Sequence, residues 1–160
     1  MVYLSEEHFE DALAAYLTRE LPSDLRVSPS YAAEALTFPR VVVAVSRSEN
    51  SSEAGVWSDE RALAVEVQLL VEAPSTSGSK WGSPKTRGET ETWRRRLLQA
   101  LLSADAFDGI EAYGGLTMRN LIVGAITRTA VGRTFETTIE LSVLASPVED
   151  DMQPVEEETE

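Results

Sequence analysis

The amino-acid sequence predicts an α+β fold, with two helices packed on one face of a four-stranded antiparallel sheet. Strict alternation of apolar and polar residues marks two strands, at 61–73 and 134–145. Apolar residues at three- and four-residue spacing mark two helices, which start near Ser5 and Glu89. The order is helix, strand, strand, helix, strand, strand, so pairing the strands as hairpins lets both helices cover one face.

The first helix has a clear beginning and end in the sequence. Ser5 supplies a side-chain cap, and Glu6 and Glu7 place negative charge at the positive end of the helix dipole. Pro22 ends the helix because proline cannot continue it. The apolar stripe in between comprises Phe9, Ala12, Leu13, Tyr16, Leu17 and Leu21.

The next part of the chain alternates between irregular and strand-like composition. Residues 22–39 contain three prolines and are predicted to be a connector, with a short turn around 31–36. Residues 40–47 form a continuous valine-rich run, which is typical of a strand buried on both faces. Residues 48–60 are polar and too numerous for a tight hairpin turn, so we expect a long loop there.

The second half of the domain repeats the strand and helix signals. After the strand at 61–73, residues 74–88 are rich in serine, glycine and proline, which predicts a projecting loop. A second helix follows at 89–104, and the acids and glycines of 105–115 end it. Strands at 116–129 and 134–145 then form a final hairpin.

Charge divides the chain into a body and a tail. Residues 1–148 are predicted to form a single α+β domain, because this length can bury a core without disulfides. Residues 149–160 carry seven acids and no base, which predicts a disordered acidic tail. The formal net charge of the chain is −13, so the body without this tail carries −6.

Composition also bears on location. The chain contains no cysteine, and its first residues carry acids where a secretory signal would carry bases. Its longest apolar runs, 41–45 and 121–126, are too short to span a bilayer. We therefore expect a cytoplasmic product with no membrane partner.

The sequence contains few candidates for a catalytic, metal-binding or phosphate-binding site. His8 is the only histidine, and neither a nucleophile nor a carboxylate pair is placed near it by the sequence. The acid-rich residues 105–111 lack the ligand alternation of a calcium loop, and no glycine-rich phosphate loop follows a strand. We predict no catalytic, cofactor-binding or metal-binding residue, and a protein that is not an enzyme.

Basic residues cluster beside two tryptophans between positions 80 and 96. Such a cluster suits contact with an acidic partner or a second copy, a grip on a nucleic-acid strand, or a solvated loop. A net acidic body opposes nucleic-acid binding by long-range repulsion. The candidate subunit or partner interface comprises Lys80, Trp81, Lys85, Arg87, Arg94 and Arg95.

The alternating strands place carboxylates on the face away from the helices. Glu66, Glu136 and Glu140 alternate with the apolar residues of their strands and are predicted to share that face. The face is either an ordinary solvated surface or an acidic surface with a role, such as the lining of a lumen.

The chain resembles a known protein family in its size, in the order of its elements and in four stretches of sequence. "PRVVVAVSR", "RALAVEVQLLVEAP", "ETWRRRLLQALLS" and "TFETTIELSVLAS" are similar to segments of the tail terminator proteins of long-tailed bacteriophages, also called tail completion or neck proteins. The resemblance covers about residues 5–146 and rests on pattern and order. The loop predicted at 74–88 and the acidic tail depart from the family's pattern.

The resemblance implies a structural virion protein and brings no catalytic residue. It implies a homo-oligomeric ring, expected to be a hexamer, that caps the tail tube and joins it to the head-tail connector proteins. DNA would pass by without specific binding, and assembly would take place in the host cytoplasm. The alternatives are another neck component, such as an adaptor or stopper, and a cytoplasmic α+β protein-binding module acting as a small oligomer.

Overall fold

The computed structural model describes residues 3–32, 38–51, 59–72, 84–131 and 134–148, with the backbone alone for 84–86 and 131. In these residues a mixed five-stranded sheet is combined with three α-helices. The predicted α+β class is therefore confirmed. The predicted count of four strands and two helices misses one element of each kind.

The elements follow one another along the chain in a simple order. They are α1 (Glu6–Glu20), β1 (Arg26–Pro29), a 3-10 helix (Ser30–Ala32), β2 (Arg40–Asn50), β3 (Arg61–Glu72), α2 (Pro84–Leu101), α3 (Ala106–Glu111), β4 (Leu116–Val131) and β5 (Thr134–Pro147). The predicted start of α1 is confirmed, since the Ser5 side chain accepts a hydrogen bond from the His8 amide.

The strand order in the sheet is β1-β2-β3-β5-β4. β1 runs parallel to β2, and the other three neighbouring pairs are antiparallel. The predicted purely antiparallel sheet is thus wrong at one edge, where residues 26–29 of the supposed connector form a strand. Proline is tolerated there because the outer side of an edge strand has no partner that needs its amide.

The helical boundaries also differ from those predicted. α2 begins at Pro84, so residues 84–88 of the predicted projecting loop are helical. Proline is favourable at the first helical position because its missing N–H has no partner there in any helix. α2 ends at Leu101, and residues 106–111, predicted as a break, form α3. Residues 74–83 of the predicted loop and residues 149–160 lie outside the described part of the chain.

The core lies between the helices and one face of the sheet. Alternate residues of β3 and β5 are buried, as the period of two predicts, and cross-strand partners such as Val67 and Ile139 meet there. The three helices contribute to the same cluster, which confirms that they cover one face. Its fully buried large side chains include Phe9, Leu13, Tyr16, Leu17, Leu69, Leu97, Leu101, Ile110, Ile139 and Leu141.

The last hairpin is longer than predicted and irregular. β4 pairs with β5 over most of its length, but the register shifts between Arg119 and Ile122 and again between Val123 and Ile126. Each shift places one extra residue in β4, which is the defining feature of a β-bulge. β4 forms the edge of the sheet at the end opposite β1.

Candidate interaction surfaces

The structure describes only part of the predicted basic interface. Lys80 and Trp81 lie outside the described residues, and Lys85 is placed in the first turn of α2 by its backbone alone. Arg87 and Arg95 are exposed on α2. Arg94 is only 22% exposed and forms an ion pair with Glu91, one turn earlier on the same helix.

Two of these arginines line one groove, which we call the arginine groove. Arg87 and Arg94 of α2 face Arg128 of β4 across a cavity of about 140 Å³. The remaining lining residues are Thr90, Glu91, Phe135, Glu136 and Thr137. Three arginines from two elements therefore line a space that admits side chains rather than a folded element. Guanidinium groups in this setting suit carboxylate or phosphate oxygens.

Arg128 is a groove residue that the sequence did not reveal. It pairs in register with Thr137 of β5, and directly opposed residues of an antiparallel pair project on the same side of the sheet. That side is the one that α2 covers. Each of the two bulges in β4 reverses the alternation of side chains between the two faces of the sheet. The face from which Arg128 projects is therefore determined by its pairing with Thr137 of β5, and alternation along the β4 sequence alone does not predict it.

The strand register places the three predicted acidic residues on one face of the sheet. Glu66 and Glu140 are direct cross-strand partners on β3 and β5, and both line a shallow depression of about 310 Å³ beside Ser46 and Arg47. Glu136 projects from the same face, because it lies four residues before Glu140 on β5 with no register shift between them. It also contributes to the lining of the arginine groove at the end of the strand. The role predicted for this acidic face stays a prediction. Directly opposed like charges destabilise a sheet slightly. The nearby Arg47 is itself paired with Glu49.

A carboxylate–guanidinium pair joins the loop after β2 to β4. Arg119 donates from Nε and Nη2 to the two carboxylate oxygens of Glu60, at 2.6 and 2.9 Å. These hydrogen bonds hold the pKa of Glu60 below its ordinary value, with a further lowering contribution from the hydroxyl of Ser51. The pair ties residues 59–60 to the strand position just before the first bulge of β4.

The open edge of β4 carries exposed apolar side chains. Ile122 is 58% exposed and pairs with Ser142, whereas Ile126 is 43% exposed and pairs with Ile139. Their partners point to opposite faces of the sheet, so the two isoleucines do not form one patch. Bulges of this kind are a common means of protecting an edge strand from unwanted pairing.

Glu10 is a further buried charged residue that the sequence analysis did not single out. It is 4% exposed, and its carboxylate accepts hydrogen bonds from the amide and hydroxyl of Ser30 and from the amide of Val45. Its position inside the apolar stripe of α1 was a usable signal, since buried charges require partners. These contacts tie α1 to the 3-10 helix and to β2.

His8 contacts the residues that follow α3. Its Nε2 atom lies 2.8 Å from the carbonyl oxygen of Gly114, and its ring packs edge-on against Tyr113. No group of three or more potential metal ligands occurs within the described ranges. In the same part of the chain, no helix has the length and apolar character needed to cross a membrane.

Comparison with known proteins adds no identification. No protein-family model matches the chain, and no curated protein matches it.

Proposed function

We propose that this protein is a structural subunit of the neck of a long-tailed bacteriophage. In this role it is a tail terminator, which forms a ring, caps the tail tube and joins it to the head-tail connector proteins. The proposal rests on the resemblance of the four sequence stretches and on the order of the main elements. Virion localisation and assembly in the host cytoplasm follow from the same role.

One structural observation supports the assembly part of this proposal. The arginine groove lies on the helix-covered side near the end of the β4–β5 hairpin, whereas Glu66 and Glu140 lie on the other face of the sheet. A closed ring requires heterologous contacts, in which one patch of a subunit meets a different patch of its neighbour. Oppositely charged patches at separate places on one body meet this requirement.

The contact proposed for residues 80–96 belongs to the same role. Arg87 and Arg95 are exposed on α2, and the neighbouring residue Trp93 is half-buried against the core. Both arginines are thus exposed to solvent, while the tryptophan packs the helix that presents them against the core. We propose that this region contacts a neighbouring subunit or a neck partner and that DNA passes by without specific binding.

Stoichiometry tests the proposal. The purified full-length chain would be examined by native mass spectrometry and negative-stain electron microscopy, alone and with tail tube and connector proteins of the same phage. Rings of six copies, or six copies on the end of a tail tube, are expected. A stable monomer that joins neither partner would overturn the proposal.

Two alternatives give different results in the same experiment. An adaptor or stopper would bind connector proteins and leave tail tubes unbound. A cytoplasmic protein-binding module would form a small oligomer, such as a dimer, and bind neither. A nucleic-acid binder using the region of Trp81 and Arg94 would shift DNA in a gel at low salt, with affinity falling steeply as salt rises.

A further inference from the structure

The arginine groove is built to receive carboxylates. Of its eight lining residues, three are arginines from two elements, and Phe135 provides an apolar surface that is itself 7% exposed. Glu91 and Glu136 also line the groove, and Glu91 is paired with Arg94. Arginine binds carboxylates through paired N–H donors, so an incoming acid can share the guanidinium groups of the groove.

The chain itself contains a segment of complementary charge. Residues 149–160 hold seven acids and no base. This is by far the densest run of negative charge in the protein. Charge complementarity of this kind increases both the rate and the selectivity of association.

The geometry of β5 places this segment far from the groove of its own subunit. The segment follows Val148, whose amide donates to the carbonyl of Gly115 at 3.0 Å, whereas the groove lies beside residues 135–137 at the other end of β5. Strands rise by about 3.3 Å per residue, so the twelve residues from Glu136 to Val148 span about 40 Å.

Only the far end of the segment can span a distance of this size. Glu158 follows Val148 by ten residues, and a fully extended chain covers at most about 3.6 Å per residue, or about 36 Å in all. Glu149, Asp150 and Asp151 lie within three residues of Val148 and cannot enter the groove of the same copy. Glu156, Glu157 and Glu158 could approach it only with the segment almost fully extended back along β5. A neighbouring copy has no such limit.

We propose that the arginine groove of one copy binds the acidic segment 149–160 of a second copy. This contact joins two different surfaces, so it is heterologous and can propagate around a ring. The inference rests on the self-association in the proposed function and adds to it by naming the two surfaces that meet.

A charge-reversal pair in the full-length chain tests the contact. The groove variant combines Arg87→Glu with Arg94→Glu, and the segment variant combines Glu156→Lys, Glu157→Lys and Glu158→Lys. Arg19→Glu with Arg26→Glu, at two exposed arginines outside both the groove and residues 80–96, makes the same change of net charge as the groove variant. Oligomeric mass would be measured against protein concentration at low and high salt, and thermal melts would verify folding.

Each variant alone should weaken association by about tenfold or more at low salt, because like charges then meet in every contact. The control pair should associate as the unmodified protein does. An equimolar mixture of the groove and segment variants should recover association, because each basic segment then finds an acidic groove and each acidic segment finds a basic groove. Recovery can arise only between different copies.

The outcomes separate this inference from the proposed function. Unmodified protein that stays monomeric at all concentrations and with its neck partners overturns both. Unmodified protein that oligomerises while the segment variant associates equally well overturns this inference alone. If the groove variant loses association while the segment variant keeps it, the groove binds another occupant, such as the acidic sheet face. That result also overturns this inference.

Discussion

The carboxylate of Glu10 on α1 accepts a hydrogen bond of 2.8 Å from the backbone amide of Val45 on β2. Val45 lies where the register between β2 and β3 shifts, so the bulge interrupts the regular ladder next to it. The same carboxylate accepts bonds from the amide and the hydroxyl of Ser30. One buried side chain thus satisfies backbone donors in two other elements and sets the position of α1 on the sheet.

We predict that Glu10→Ala lowers the free energy of unfolding by about 1–3 kcal/mol, because the amides of Ser30 and Val45 lose a buried carboxylate acceptor. Glu20→Ala, at an exposed position of the same helix, is the matched control and should change it by less than about 0.5 kcal/mol. Urea denaturation of the purified variants measures both values. Equal midpoints for the two variants would contradict the structural role of Glu10.

Gly115 and Gly88 should respond in opposite directions to replacement by alanine. Gly115 has a φ of +83°, and a Cβ there would lie 2.8 Å from Nε2 of His8. Gly115→Ala should therefore destabilise the protein by about 1–2 kcal/mol or more, through backbone strain and the clash. Gly88→Ala, in α2 with no atom within 4 Å of the added Cβ, should stabilise it by about 0.5–1 kcal/mol. Thermal melts that shift both variants in the same direction would refute this distinction.

The two faces of the sheet should respond differently to truncation. Leu101 is 2% exposed in the core cluster, so Leu101→Ala should reduce the free energy of unfolding by about 2–5 kcal/mol. Glu66→Ala removes one of two directly opposed carboxylates on the other face and should have little effect. Chemical denaturation checks the ranking, and the reverse order would mean that the faces are assigned wrongly.

The Glu60–Arg119 pair should give a small pH dependence of stability. Because the pKa of Glu60 is lowered from 4.5 in the folded state, the pair stabilises the protein above that pH. This contribution is lost as the pH falls through the lower, folded value. Arg119→Met should reduce the slope of stability against pH below about 4.5. A slope identical to that of the unmodified protein would show that the pair makes no net contribution.

Deletion of residues 149–160 should leave the stability of the monomer unchanged. A segment with seven acids and few apolar residues cannot add to a hydrophobic core. Circular dichroism melts at low concentration, where self-association is absent, measure this directly. A large fall in melting temperature would show that the segment packs on its own body.

The sequence by itself determined the features that depend on near neighbours. The stripe of α1, its Ser5 cap and the alternation of β3 and β5 all follow from spacings of two, three or four residues. Each such spacing matches either a helix or a strand, and it places the apolar side chains on one side of that element. Burial of that side is favourable because it removes apolar surface from water. The α+β class and the sharing of one core by the helices follow from these same patterns.

The tertiary structure alone decided the features that depend on distant partners. β1 is four residues long with a proline at its end, and only its parallel pairing with β2 makes it a strand. The bulges of β4 are defined by its pairing with β5, and that pairing brings Arg128 to the side where α2 presents Arg87 and Arg94. The burial of Glu10 likewise depends on donors 20 and 35 residues away. The spacing of neighbouring residues does not predict such contacts, because the residues that form them are far apart in the sequence and meet only when the chain has folded.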